Sequence, residues 1–295
     1  MSVPVATPDP AGGEPGGLEG RLADLDAALR DLGSVLVAFS GGVDSAVLLA
    51  AALRALGPDR VAAGTADSPS LPRSELAAAA RVARSLGARH LVAATSELDR
   101  EGYVANRGDR CAFCKTELLE VLGPLAARHG YAAVATWTNA DDVRAGFRPG
   151  IRAAAARGAV TPLRDAGLTK ADVRVAARRF DLPVAAKPQA ACLASRIAYG
   201  TPVTRERLAR VERAESALRA ALADAGLAVT DLRVRDLGAD RARVEVDRAV
   251  AGRVPAAALA AVTAGGFASV EVDPRGFRSG AMNELLPDPQ RWRDS

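Results

Sequence analysis

Six residues, Ser40-Gly41-Gly42-Val43-Asp44-Ser45, carry the clearest chemistry in this chain. Gly41 and Gly42 let the backbone approach a ligand with no Cβ in the way. Ser40, Asp44 and Ser45 can cap a helix or hold a phosphate or its metal. Before them, Val35 to Phe39 is an apolar run that reads as a short buried strand. After them, Ala46 to Leu56 has helix-forming composition. Strand, glycine turn and helix together present backbone N–H groups at a helix N-terminus, where anions bind. A Walker A loop is excluded, because no lysine precedes Lys115. The plain alternative is a tight turn with a serine cap. Six motif residues between a strand and a helix favour a nucleotide site instead.

The second group is the thiols. Cys111 and Cys114 have the common chelating spacing, and Cys192 lies far along the chain. Three thiolates leave a structural zinc site one ligand short, with no obvious histidine to complete it. They suit a 4Fe–4S cluster with one open iron. A redox pair, zinc, a disulfide and inert cysteines all stay open on spacing alone. The chain has only His90 and His129, so metal sites built on histidine pairs are excluded.

Further candidates follow. Asn139 and Asp142, after a predicted strand, could hold Mg²⁺ or ribose hydroxyls, and equally could simply make a turn. Arg196, four residues beyond Cys192, could keep a thiolate charged or hold a phosphate. Arg233 and Arg235 alternate on one strand, and their competing reading is a solvated strand face.

The elements that must position these residues read as follows. Leu18 to Leu32 has an apolar stripe at three- and four-residue steps. Strands are expected at 60–65, 89–94 and 132–136, and helices at 72–86, 116–129 and 169–180. The second strand ends in Ala66-Asp67-Ser68-Pro69, a candidate adenine contact. This alternation argues a doubly wound α/β layer with a parallel sheet over 18–186. After it, helix 204–225, strands 231–235 and 241–247, helix 255–263 and strand 268–272 suggest a smaller α+β domain over 187–295. Residues 1–17, rich in Pro and Gly, read as a disordered tail and not a signal peptide.

Composition sets the outer bounds. The 295 residues are 49% hydrophobic and 4% aromatic, with a net charge of +4. Lysine occurs only at 115, 170 and 187; the other basic residues are all arginine. Charges are interspersed, which argues weakly against nucleic acid. No apolar run is long enough to span a bilayer. Three cysteines in an expected cytosolic protein point to metal or catalysis before disulfides.

SGGVDS resembles the PP-loop of ATP pyrophosphatases, of adenine nucleotide alpha-hydrolase-like fold. These enzymes cut ATP between the α- and β-phosphates. Together with NRGDRCAFCKTEL from Asn106, TNADD from Thr138, KPQAACLASRIAYGTPVT from Lys187, LRVRDLGADRARVEV from Leu232 and GFRSGAMNELL from Gly276, the chain resembles the LarE family. These are ATP-dependent sulfur transferases that help make the nickel-pincer cofactor of lactate racemase. The resemblance implies ATP held at Ser40, Gly41, Gly42, Asp44, Ser45, Asn139 and Asp142, with Mg²⁺ on Asp44. It implies adenylylation of a carboxylate on a pyridinium dicarboxylate mononucleotide, with Arg196, Arg233 and Arg235 near the substrate. A sulfur nucleophile at Cys192 then releases AMP. Family members with three cysteines imply that Cys111, Cys114 and Cys192 hold a 4Fe–4S cluster. The family also tends to form homo-oligomers. Two other readings remain open: a PP-loop enzyme that thiolates tRNA, and a nucleotide-binding scaffold without turnover.

Overall fold

The computed structural model describes residues 16–144, 154–188, 191–278 and 280–285. The expected tail over 1–17 lies outside them, apart from Gly16 and Gly17.

A four-stranded sheet organises the first half. Its strands are β1 (Val35–Ala38), β2 (Val61–Asp67), β3 (Arg89–Ala94) and β4 (Ala133–Ala135), in the order β3-β2-β1-β4. Every pairing is parallel. Central β1 is buried throughout, which is why it reads as an unbroken apolar run. Its side chains still alternate. Val35 and Val37 enter one core with helices α1 (Leu18–Leu32) and α2 (Val43–Leu56). That core also takes up α3 (Arg73–Ser85). Leu36 and Ala38 enter the opposite core, with Leu119 and Leu122 of α4 (Arg110–Arg128). Helices therefore cover both faces, as a doubly wound α/β layer requires.

α4 starts six residues earlier than expected, at Arg110 rather than Thr116. Nothing in Arg110-Cys-Ala-Phe-Cys-Lys breaks a helix. Cys111 and Cys114 consequently lie at the second and fifth positions of this helix, three apart and on neighbouring parts of its surface. α2 likewise starts at Val43, so Asp44 and Ser45 belong to its first turn. Helix α5 (Lys170–Arg179) opens with a complete capping box between Thr169 and Asp172, the pattern that the sequence carries.

In the second half, β5 (Leu232–Asp236) runs antiparallel to β6 (Arg241–Val246), which pairs in parallel with β7 (Ser269–Val272). Helices α6 (Arg205–Asp224) and α7 (Ala256–Ala264) cover this sheet through Leu208, Val211, Leu218 and Val262. Tyr103 is buried in the same core, and Phe113 and Cys114 pack against it. A segment of the first half thus carries Cys114 onto the second sheet's core.

Candidate functional site

The glycine turn is held from several sides. Gly41 has φ +69°, and a Cβ there would lie 2.8 Å from the Ala79 Cα on α3. Only glycine fits both the backbone region and the space. Ser45 Oγ donates to the Gly42 carbonyl at 3.0 Å and accepts from the Ser40 N–H at 3.3 Å. Those two bonds shape the loop ahead of the first turn of α2, where backbone N–H groups lack helical partners.

Asp44 is gripped by two distant groups. Asn139 Nδ2 donates to its Oδ1 at 3.1 Å, and Lys170 Nζ pairs with its Oδ2. Asn139 is buried, and its Oδ1 accepts the Asp141 and Asp142 N–H groups at 3.0 and 3.2 Å. Asp142 Oδ2 accepts the Asn139 N–H at 3.1 Å. For Asn139 the turn-forming role is realised, and its side chain also reaches Asp44 beside the glycine loop. For Asp142, the bond to Asn139 is the turn-forming one.

Sequence reasoning assigned no role to any lysine, yet the three converge here. Lys187 Nζ bonds Glu75 at 2.6 Å and the Gly41 carbonyl at 3.2 Å. Lys170 and Lys187 both line the cavity over the glycine loop. Lys115 Nζ sits 3.9 Å from the ring centre of Trp137, which lines it too. Burial lowers the Lys115 ammonium to about 8, against the opposing pull of Cys114 and Asp142. The available signal was the survival of three lysines in a chain that otherwise uses arginine.

This cavity encloses about 290 Å³ and is also lined by Ser40, Gly42, Ala66, Ser68, Cys114 and Cys192. Two of the thiols and the end of β2 thus meet the glycine loop. Burial pushes the Cys114 thiol well above its ordinary value, and nearby Cys192 and Cys111 push it the same way. Cys111 is exposed. Burial works against the cation of Arg110, but the Cys192 and Cys111 groups more than offset it, and its net shift is upward. Arg110 is itself buried, donating to Ala194 O at 2.9 Å and to Asn106 Oδ1. Among the described residues, no three Cys, His, Asp or Glu side chains are arranged to close on one metal ion. Cys114 and Cys192 line this cavity, and Cys111 lies three positions before Cys114 on α4.

Arg196 is buried and holds the Cys192 turn. Its Nε donates to Glu215 at 2.9 Å, and its Nη1 donates to the carbonyls of Ala191 at 2.5 Å and Cys192 at 2.9 Å. The Leu193 N–H donates to Ser70 O at 2.8 Å, fastening this turn to the β2–α3 loop.

A second cavity, of about 380 Å³, adjoins the first and shares Arg174, Pro188 and Ala191 with it. Arg110, Arg233 and Arg235 also line it, with Asp231 the one acid among its described lining. Arg233 and Arg235 are buried, which sets aside the solvated strand face. Arg235 is paired with buried Glu245 at 2.7 Å and donates to Ser195 O at 3.2 Å. Arg233 lies 4.9 Å from the Phe277 ring centre and donates to Leu232 O at 2.7 Å. Burial lowers its guanidinium, and the charges of Arg196 and Arg235 add to that. Four guanidinium groups line this cavity, a donor set suited to an anion.

A glycine loop between a parallel strand and a helix, without a Walker lysine but with an Asp on the first helical turn, defines an ATP-dependent enzyme of the PP-loop class. The profile of the asparagine synthase family matches residues 24–104. Over 274 residues the chain is 38% identical to an uncharacterized protein of Synechocystis, covering 91% of this chain and 99% of that one. Over 277 residues it is 35% identical to the pyridinium-3,5-bisthiocarboxylic acid mononucleotide synthase of Lactiplantibacillus plantarum, covering 92% of this chain and 96% of the relative. The chain belongs to the family of that synthase, the LarE family. Among the described residues, no helix is long and apolar enough to cross a membrane.

Proposed function

We propose that this enzyme converts carboxylates of a pyridinium-3,5-dicarboxylate mononucleotide into thiocarboxylates, using ATP and Mg²⁺. ATP occupies the cavity over Ser40, Gly41, Gly42 and Ser45, and Asp44 would hold the Mg²⁺. A substrate carboxylate oxygen attacks the α-phosphorus, the bond to the β-phosphate oxygen breaks, and pyrophosphate leaves with the electron pair. The product, an acyl-adenylate, has a good leaving group where the carboxylate had none. A sulfide supplied beside Cys192 would then attack the acyl carbon, the C–S bond forming as the C–O bond to AMP breaks and AMP leaves with that electron pair. Backbone N–H groups at the start of α2 and the surrounding cations stabilise the negative charge that builds up.

The observation that carries this reading is that Cys114 and Cys192 line the same cavity as Ser40 and Gly42. The arginine cavity next to it suits the substrate phosphate, with Arg233 and Arg235 as its ligands. Arg196 fits a positioning role, because it holds the Cys192 carbonyl. Asn139 acts on ATP through Asp44, and Asp142 supports Asn139. Cys111, Cys114 and Cys192 would hold a 4Fe–4S cluster. Bound there, the cluster would supply a sulfide for transfer, so that the protein's own cysteine sulfur need not be lost. The enzyme works in the cytoplasm, as a homo-oligomer. Residues 18–186 and 187–295 form its nucleotide and substrate domains.

The test is to purify the protein without oxygen, measure its iron and visible spectrum, then supply ATP with the dicarboxylate mononucleotide. AMP, pyrophosphate and a thiocarboxylate product are expected. If only tRNA stimulates AMP release, tRNA thiolation replaces this reading.

A further inference from the structure

Several cations around the two cavities have a strong local partner. Lys170 is on Asp44, Lys187 on Glu75, and Arg235 on Glu245. Arg110 is anchored to Asn106 and Ala194 O. Arg174 lines both cavities, and its hydrogen bond to Ala185 O is 3.5 Å long. That length is at the edge of what counts as a hydrogen bond. Among the described residues, no carboxylate pairs with it.

Its placement is not accidental. Arg174 lies one turn after Lys170 on α5, so both project toward the nucleotide cavity. The capping box at Thr169 and the burial of Val173, Ala176 and Ala177 fix the helix beneath them. A half-buried guanidinium held this loosely, on the shared wall of two anion cavities, is available to both ligands at once.

We propose that Arg174 is a catalytic residue that spans the two ligands, binding the α-phosphate of ATP and the attacking carboxylate of the substrate. This rests on the function proposed above. The two reactants are both anions, and their approach is opposed by Coulomb repulsion. The planar fork of arginine can donate to a phosphate oxygen and a carboxylate oxygen together. It would hold the carboxylate in line while the phosphorus–oxygen bond to pyrophosphate breaks. The carboxylate enters already ionised, so no proton has to be moved in this step.

The experiment compares the wild type with Arg174→Met, which keeps the hydrocarbon stem, and with Arg174→Lys. Calorimetry would measure α,β-methylene-ATP and the dicarboxylate mononucleotide, each alone and then in the presence of the other. Pyrophosphate release gives the adenylylation rate. The wild type is expected to bind each ligand more tightly when the other is present. Arg174→Met should bind each single ligand within about fivefold of wild type, lose that mutual tightening, and adenylylate about 10²–10³-fold more slowly. Arg174→Lys should recover charge without the fork, and so only part of the rate. A rate in Arg174→Met within about threefold of wild type overturns the proposal, as does mutual tightening that survives the substitution. If wild type forms AMP with a different acid and ignores the mononucleotide, the substrate assignment fails. The Arg174 measurement is then made with that acid.

Discussion

Asn139 Nδ2 donates to Asp44 Oδ1 at 3.1 Å, joining the carboxyl end of β4 to the first turn of α2. The same amide caps its own turn through Asp141 and Asp142. Asp44 thus has its rotamer set from the neighbouring strand end, on the first turn of the helix that follows the glycine loop.

Asn139→Ala removes that grip and leaves the fold's cores untouched. A hydrogen bond to a charged group contributes about 1.5–3 kcal/mol, so pyrophosphate release should slow by about 10–100-fold. Asp44→Ala should abolish it. ATP–pyrophosphate exchange measures both. Full exchange in Asp44→Ala would remove Asp44 from the chemistry.

Gly41→Ala should fail for two additive reasons. The left-handed backbone costs a non-glycine residue about 1–2 kcal/mol. The new Cβ would also meet the Ala79 Cα at 2.8 Å, an overpacking cost of about 1–3 kcal/mol. Gly42→Ala is the control, since its Cβ would meet only Ser40 Oγ at 3.3 Å. Urea unfolding should separate the two by at least about 2 kcal/mol. Equal midpoints would mean that the loop shifts to accommodate both.

The thiols should divide by role. Cys192→Ala is expected to release pyrophosphate yet make no thiocarboxylate, read by mass spectrometry of the product. Cys111→Ser, Cys114→Ser and Cys192→Ala should all reduce bound iron, the first two also limiting multiple turnover, while leaving adenylylation in place. Wild-type iron content in Cys111→Ser would strike exposed Cys111 from the ligand set.

Arg235→Met should destabilise the protein by about 3–5 kcal/mol, because Glu245 would be left buried and unpaired. Arg235→Met with Glu245→Met should recover most of that loss in urea unfolding. Affinity for the mononucleotide should stay low in the double variant. Recovery of affinity along with stability would make Arg235 a structural ion pair and nothing more.

Much of this was legible from local pattern. The unbroken apolar β1 and the Thr169–Asp172 capping box are short-range features, and each was realised. The helix start at Arg110 was not legible, because polar residues without a breaker suit a loop or a first turn equally. Nor was the burial of Arg233 and Arg235, since alternation on a strand tells which residues share a face and not what covers that face.

By itself, the sequence determined the order of strands and helices, the nucleotide-binding turn and the three thiols, because periodicity, glycine conformation and residue chemistry act over a few neighbouring positions. Only the tertiary structure decided which charges meet. Lys187 reaches the Gly41 carbonyl across 146 positions, and Arg174 comes to stand on the wall between two cavities. Those meetings depend on how two sheets and their helices pack, and packing sums many weak contacts that no short stretch of chain contains.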